Sequence, residues 1–383
     1  MRVGIIGVGM TAFRPATPEY SWKELMFEAA SRAYADAGIN PRTDVESFIT
    51  CAEDYYEGFG IFDEFVPDQL GAALRPTCTI SGDGLQGLAT AFMQIQTGLL
   101  NVAVVEAHSK ASDIVSLDGI LEQGMDPIWN RPLGAHPYVV AGLEATSYLK
   151  ATRTPTKALA AVVAKNRSNG LLNPLAAYGA FVDEAQAAAS RESFSPLRFL
   201  DISAPADGAV VLVVASEKAS RRLRANPVWI RGIGWASDAP SLETREYPGA
   251  GYAQLAAQMA YRLAKVRRPA TEFDLAEVDD RFSYKELQHL EALGLAKPGD
   301  AGRRVHNGDY AIDGRLPVNA SGGSLGCGNV LEATGLHRAA EIVLQLRGQA
   351  GRHQVDGAKA GLAQSWRFIP STTGAVAVLG VGK

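Results

Sequence analysis

Cysteine is scarce. Cys51, Cys78 and Cys327 are the only three in 383 residues, too few for a disulfide framework, and no CxxC pair offers a zinc site. Such usage fits a reducing compartment, and the cytoplasm is the expected location. An excess of positive charge is also missing: 37 Lys+Arg against 41 Asp+Glu leaves −4, which implies no basic face and no nucleic-acid partner. No run reaches the ~18 apolar residues of a membrane span. The opening MRVGIIGVGMTAF lacks the ~7–15-residue apolar core and cleavage site of a secretion signal. With 47% apolar and 20% charged residues, disorder, collagen and coiled coil are excluded as overall descriptions.

What is present is a glycine-rich α/β pattern. A length prior of ~150 residues per domain predicts two or three domains. Arg2 to Gly7 reads as a strand. Ser21 to Ala37 has apolar residues at helical spacing, with Ser21 and Glu24 forming a capping signature and Gly38 a stop. Val45 to Cys51, Thr77 to Ile80 and Val102 to Ala107 read as buried strands, with a helix before Gly98. Residues from about 108 to 200 carry scattered Pro, Gly and Asn with helical pieces such as Thr156 to Lys165, and form a mostly helical insertion. Asp207 to Ala215 is again an apolar strand. The order then repeats: Pro227 to Gly232 and Leu275 to Asp279 as strands around a helix at Gln254 to Val266, then SGGSLGCGN, a helix at Glu332 to Arg347, and strands Gly361 to Trp366 and Gly374 to Gly380. Alternating strands and helices argue for an α/β sheet. Two similar halves follow, 1–220 with the insertion and 221–383.

Three segments invite a chemical reading. Gly7-Val8-Gly9 resembles a dinucleotide turn, but Pro15 and Pro18 stand where the helix should begin, so a tight turn after an edge strand is expected instead. Ser81, between a buried strand and a helix, occupies a place that suits a nucleophile or an anion, or else caps the helix. Cys327 and Asn329 follow Asn319-Ala320-Ser321-Gly322-Gly323 in a glycine-rich turn that either packs the halves together or shapes a pocket between them. Free thiols such as Cys78 and Cys327 are commonly buried and inert.

The stretches PLRFLDISAPADGAVVLVVASEKA (196–219), FDLAEVDDRFSYKELQHLEALGLAKPGDAG (273–302) and VNASGGSLGCGNVLEATGLHRAAEIVLQLRG (318–348) resemble the thiolase superfamily, nearest its sterol-carrier-protein-type and archaeal branch. The resemblance spans Val3 to Gly380. It implies the thiolase fold: two βαβαβαββ halves in an α/β/α/β/α arrangement with an inserted loop domain, assembled as a homodimer.

The resemblance also implies where chemistry would sit, and there this chain departs from the family. The acyl-accepting cysteine falls on Ser81, and the histidine of the Gly-His-Pro turn falls on Asn329. His-Asp-Cys-Phe is replaced by Asp279-Asp280-Arg281-Phe282, and the late cysteine turn reads Ser371-Thr372-Thr373-Gly374. Serine is a weak nucleophile without a base, and an Asn amide takes no proton at neutral pH. Losing a general base alone costs ~10²–10⁴ in rate. Ordinary thiolysis is therefore not expected. The expectation is a rebuilt site acting on a CoA thioester in lipid or secondary metabolism. Its candidates are Ser81, Asp279 as a general base if burial raises its pKa, Asn329, Cys327 and Tyr284, with Asp83 beside them. Arg281 could instead neutralise Asp279 as an inert ion pair. No resident cofactor or metal is expected, the CoA thioester being substrate. The alternatives are an aldolase-type lyase working with a small OB-fold/zinc-ribbon partner, or a non-catalytic subunit.

Overall fold

The computed structural model describes residues 1–53, 56, 61–223, 225–239 and 241–382. Nine strands form one sheet: β1 (Val3–Met10), β2 (Ser47–Cys51), β3 (Thr77–Ile80), β4 (Val102–Ser109), β5 (Gly208–Ser216), β6 (Val228–Ser237), β7 (Leu275–Glu277), β8 (Ala360–Trp366) and β9 (Thr373–Gly380). Their order is β3-β2-β4-β5-β1-β6-β9-β8-β7. Read outward from the β1–β6 seam, the two sides run 1-5-4-2-3 and 6-9-8-7, so each half has the same winding. The third strand of the second half survives as a single parallel bridge between Ala276 and Val318. Among the described residues, β1 and β6 pair at Gly4 with Trp229 and at Ile5 with Val228.

Helices fill the remaining layers. Helix α1 (Trp22–Ala37) covers β1 and β5 on one outer face. Helix α2 (Gly84–Gln96) lies inside. Helices α3 (Tyr138–Thr152) and α4 (Lys157–Gly170) belong to the insertion. Helix α5 (Gly251–Ala264) covers β6 and β9, α6 (Ser283–Ala292) follows β7, and α7 (Ala333–Arg347) packs on α2 in the centre. The result is the expected α/β/α/β/α stack. Nearly every residue of α7 is buried, as a helix enclosed on all sides requires. No helix among the described residues is long and apolar enough to cross a membrane.

Local signals explain the ends of α1. The Glu24 carboxylate accepts from the Ser21 backbone N–H at 2.8 Å, and Gly38 closes the helix in the left-handed conformation. The glycines of β1 are not a turn, and β1 is not an edge strand. A Cβ at Gly7 or Gly9 would fall 2.4 Å from Ala33 O or 2.0 Å from Ala29 O, so these residues let α1 lie against the strand. Gly232 and Gly234 of β6 do the same for α5, at 2.0 Å from Ala260 O and 2.3 Å from Ala256 O. The paired glycines mark the repeat, and the dinucleotide resemblance of Gly7 and Gly9 comes from helix packing. In the later glycine-rich segment, a Cβ on Gly326 would lie 2.6 Å from Asn166 O, so that turn closes on α4 of the insertion.

Candidate active site

Polar side chains gather where parallel strands end, the usual site location in an α/β sheet. Glu53 follows β2, Ser81 follows β3 and Arg367 follows β8. They line a cleft of about 490 Å³, with Gln123 from the insertion and Asp238 and Thr373 from the second half. Arg367 pairs with Glu53. The Ser81 hydroxyl donates to Glu53 Oε2 at 3.2 Å and accepts from Arg367 Nη2 at 3.2 Å. Ser81 is exposed and does not cap the helix. Asp83 does, accepting from Leu85 N at 2.9 Å.

Asp83 also joins the two central helices. Its second oxygen accepts from Gly335 N at 3.1 Å, while Gly84 N donates to Glu332 O at 2.8 Å. Burial pushes the Asp83 carboxyl up to about 6, with the charge of Arg281 opposing it only in part. Below the cleft, Glu53, Asp83, Glu332, Arg281 and Arg367 close around a void of about 10 Å³, room for one water-sized atom.

Asp279 sits behind this floor, fully buried. Burial favours its neutral form, but the guanidiniums of Arg281 and Arg338 outweigh that and hold it at about 2. It is a fixed anion, and the ion-pair alternative is the geometry observed. Asn329 is also buried. Its Oδ1 accepts from Leu331 N at 3.2 Å, and its backbone binds Ala204 and Ala206 on the strand-like segment leading to β5.

The other two candidates lie elsewhere. Tyr284 donates to Glu144 Oε2 at 2.7 Å in a buried cluster with Lys285, Arg245 and Tyr252. Burial and Glu144 push its phenol well above the usual range. That cluster braces the cleft from behind, because Arg245 also donates to Pro370 O at 2.7 Å. The Cys327 thiol donates to Ser321 O at 3.1 Å within a buried shell containing Asn173. Burial and the acidic Glu341, Glu277 and Asp280 push it well above the thiol range. Cys51 is likewise buried and raised, and Cys78 is half-buried and raised. A buried imidazole, His289, lies against Asp279 O and the Tyr252 hydroxyl, and burial lowers it to about 3.

Sequence reasoning missed Glu53, Arg367 and Glu332. A polar residue directly after a buried parallel strand was the available signal for the first two. A second, larger groove of about 680 Å³ lies in the insertion, with Tyr138, Arg167, Tyr178, Arg191, Phe194 and Phe199 among its walls. Tyr138 touches Phe282 and Phe368, whose rings stack 5.6 Å apart, and Phe368 also lines the cleft. The two spaces thus adjoin at these rings. No cluster of His, Cys, Asp and Glu among the described residues has the form of a metal site.

Residues 234–380 match the family model described as "Thiolase C-terminal domain-like". The chain is 29% identical over 384 residues to an acetyl-CoA acetyltransferase of Methanothermobacter thermautotrophicus, covering 98% of each. It is 30% identical over 381 residues to sterol carrier protein 2 of Oryctolagus cuniculus, covering 94% of this chain and 69% of that protein. Among solved structures, the Ltp2-ChsH2(DUF35) aldolase matches with a TM-score of 0.85 at 25% identity, over 99% of this chain and 98% of that one. Human mitochondrial 3-ketoacyl-CoA thiolase matches with a TM-score of 0.76 at 16% identity, over 100% of this chain and 99% of that one, a likeness of fold alone.

Proposed function

The chain belongs to the sterol-carrier-protein-2-type branch of the thiolase superfamily, and we propose that it makes or breaks a carbon–carbon bond beside a CoA thioester by aldol-type chemistry, without an acyl-enzyme. One observation carries this reading. The cleft holds a hydroxyl, carboxylates and guanidiniums, while the three thiols lie elsewhere with raised pKa values. Acyl transfer through cysteine needs a thiolate. Aldol cleavage of a β-hydroxyacyl thioester needs only a proton acceptor and a group to hold an enolate. The β-hydroxyl gives its proton to a carboxylate, the Cα–Cβ bond breaks, and Cβ becomes a carbonyl. The electron pair forms the thioester enolate, which takes that proton from the carboxylate at Cα.

Glu53 is the proton acceptor in this scheme, with Ser81 relaying and Arg367 fixing its orientation. Asn329 and Asp279 support the floor from behind. The aromatic groove, with Arg167 and Arg191 among its walls, takes the phosphate-bearing carrier. No resident cofactor is needed. The similarity to the Ltp2-ChsH2(DUF35) aldolase supports a small OB-fold/zinc-ribbon partner. The open edge of β3 supports a homodimer formed strand to strand.

The test is exchange of the acetyl-CoA methyl protons with D₂O, followed by mass spectrometry, alongside the intact mass of the protein. Exchange with no covalent adduct is expected. An acetyl adduct on Ser81 or a cysteine overturns the proposal. Absence of acetyl-CoA binding in calorimetry overturns it in favour of a non-catalytic subunit.

A further inference from the structure

Two guanidiniums meet the void below the cleft, and they are used differently. Arg367 directs its donors to Glu53 and Ser81. Arg281 is about 1% exposed, and its Nε and Nη2 both turn to Asp279 Oδ2, at 3.1 and 2.9 Å. The ring of Phe368 lies 4.7 Å from its Cζ, which fixes the plane of the group. Its carbonyl is held by the Ser203 N–H and hydroxyl at 2.9 and 3.0 Å. The remaining arm, Nη1, makes no hydrogen bond among the described residues, although Arg281 lines the void.

An arm with no acceptor among the described residues, on a residue that lines this void, is free to donate to an oxygen that enters it. The void admits one oxygen-sized atom. Its walls carry Glu53, Asp83 and Glu332 beside Arg281 and Arg367, with Glu53 already paired to Arg367. A neutral carbonyl oxygen brings no charge into this space, and it gains charge only as the reaction proceeds.

Resting on the thioester reading above, we propose that Arg281 Nη1 receives the thioester carbonyl oxygen and stabilises the enolate that forms on it. Arg281 stands at the position where the resemblance expects the cysteine of His-Asp-Cys-Phe, so a guanidinium has taken the place of a thiol. Asp279 is the positioning residue that holds the guanidinium edge-on. The electron pair of the broken Cα–Cβ bond ends on the oxygen that Nη1 contacts, and no proton leaves Arg281. Removing an oxyanion donor of this kind lowers turnover by ~10²–10³.

The test is infrared difference spectroscopy of acetyl-CoA labelled with ¹³C at the carbonyl, bound to the native chain and to the Asp279→Asn/Arg281→Gln double variant. The double variant removes both charges together and leaves no buried carboxylate stranded. The expected result is a carbonyl stretch moved to lower wavenumber in the native protein and restored to its solution value in the variant, with α-proton exchange reduced by ~10²–10³. Should the double variant not fold, Arg281→Lys keeps the charge, lacks the second arm and gives the same readout. Binding with an equal carbonyl frequency in native and variant proteins overturns the role of Arg281 and leaves the thioester reading standing. Failure of the native chain to bind acetyl-CoA overturns both.

Discussion

Asp279 and Arg281 are joined through both Nε and Nη2 of the guanidinium, at 2.9 to 3.2 Å, where neither residue is more than about 1% exposed. Arg338 completes the arrangement from α7, 3.9 Å from the same carboxylate and 3.0 Å from Asp280. Breaking such a pair from one side leaves an uncompensated buried charge. Asp279→Ala is expected to cost about 3–5 kcal/mol in urea unfolding. The Asp279→Asn/Arg281→Gln double variant should recover most of that loss. A double variant as unstable as the single one contradicts the charge-balance argument.

Asp83 gives a pH dependence of the opposite sign to an ordinary ion-paired carboxylate. Its folded-state pKa of about 6 lies above the ordinary 3.8, so the folded chain holds this proton more tightly than the unfolded chain. The associated stability is complete below pH ~4 and is lost as pH rises through about 6. At 1.36 kcal/mol per unit, the full effect is ~3 kcal/mol. Melting curves between pH 4 and 7 should show native stability falling with pH over that window. Asp83→Asn should flatten the curve, and an unchanged slope would exclude Asp83 as its source.

Iodoacetamide should distinguish the thiols. Under native conditions Cys51 and Cys327 are buried and protonated, and only Cys78 has partial access. Intact mass should show no more than one slow alkylation in buffer and three in guanidinium chloride. Fast native labelling of Cys327 would place a reactive thiol in the site.

The Glu53–Arg367 pair is partly exposed, so it contributes at most about 1 kcal/mol to stability. Glu53→Gln should therefore melt close to the native protein. Its acetyl-CoA exchange rate should nonetheless drop by ~10²–10⁴, the usual loss on removing a general base. Equal exchange rates would remove Glu53 from the proton-transfer role.

The edge strand makes the dimer testable. Phe48 N donates to Pro76 O at 2.9 Å and Ala52 N to Ile80 O at 3.2 Å, so in this parallel ladder the N–H groups of Thr77 and Thr79 face outward. Thr79→Pro removes an outward donor while sparing the pairing with β2. Light scattering should show a native dimer and a monomeric variant. A native monomer removes the strand-to-strand assembly.

Much of the architecture was legible because it rests on short-range rules. The Ser21–Glu24 cap and Gly38 stop of α1, the apolar run of β5 and the helix after Glu332 each depend on residues close in the chain. The reading failed at Gly7 and Gly9, where the glycines of a tight turn after an edge strand and those of a helix-packed central strand look the same in one dimension. Ser81 as a helix cap failed for a similar reason: Asp83, two residues on, offers a carboxylate and a Gln86 partner.

From the chain itself came the repeated order of strands and helices and, by resemblance, the expected fold. Only the folded protein decided which charges are used. Whether Asp279 is a base or a fixed anion depends on Arg281 and on Arg338, fifty-nine residues away in the chain, and on the competition between burial and their charges. Likewise, Glu53 and Arg367 become partners only because separate sheet halves bring their strand ends together. Electrostatic strength depends on separation and dielectric in three dimensions, and neither is written in residue order.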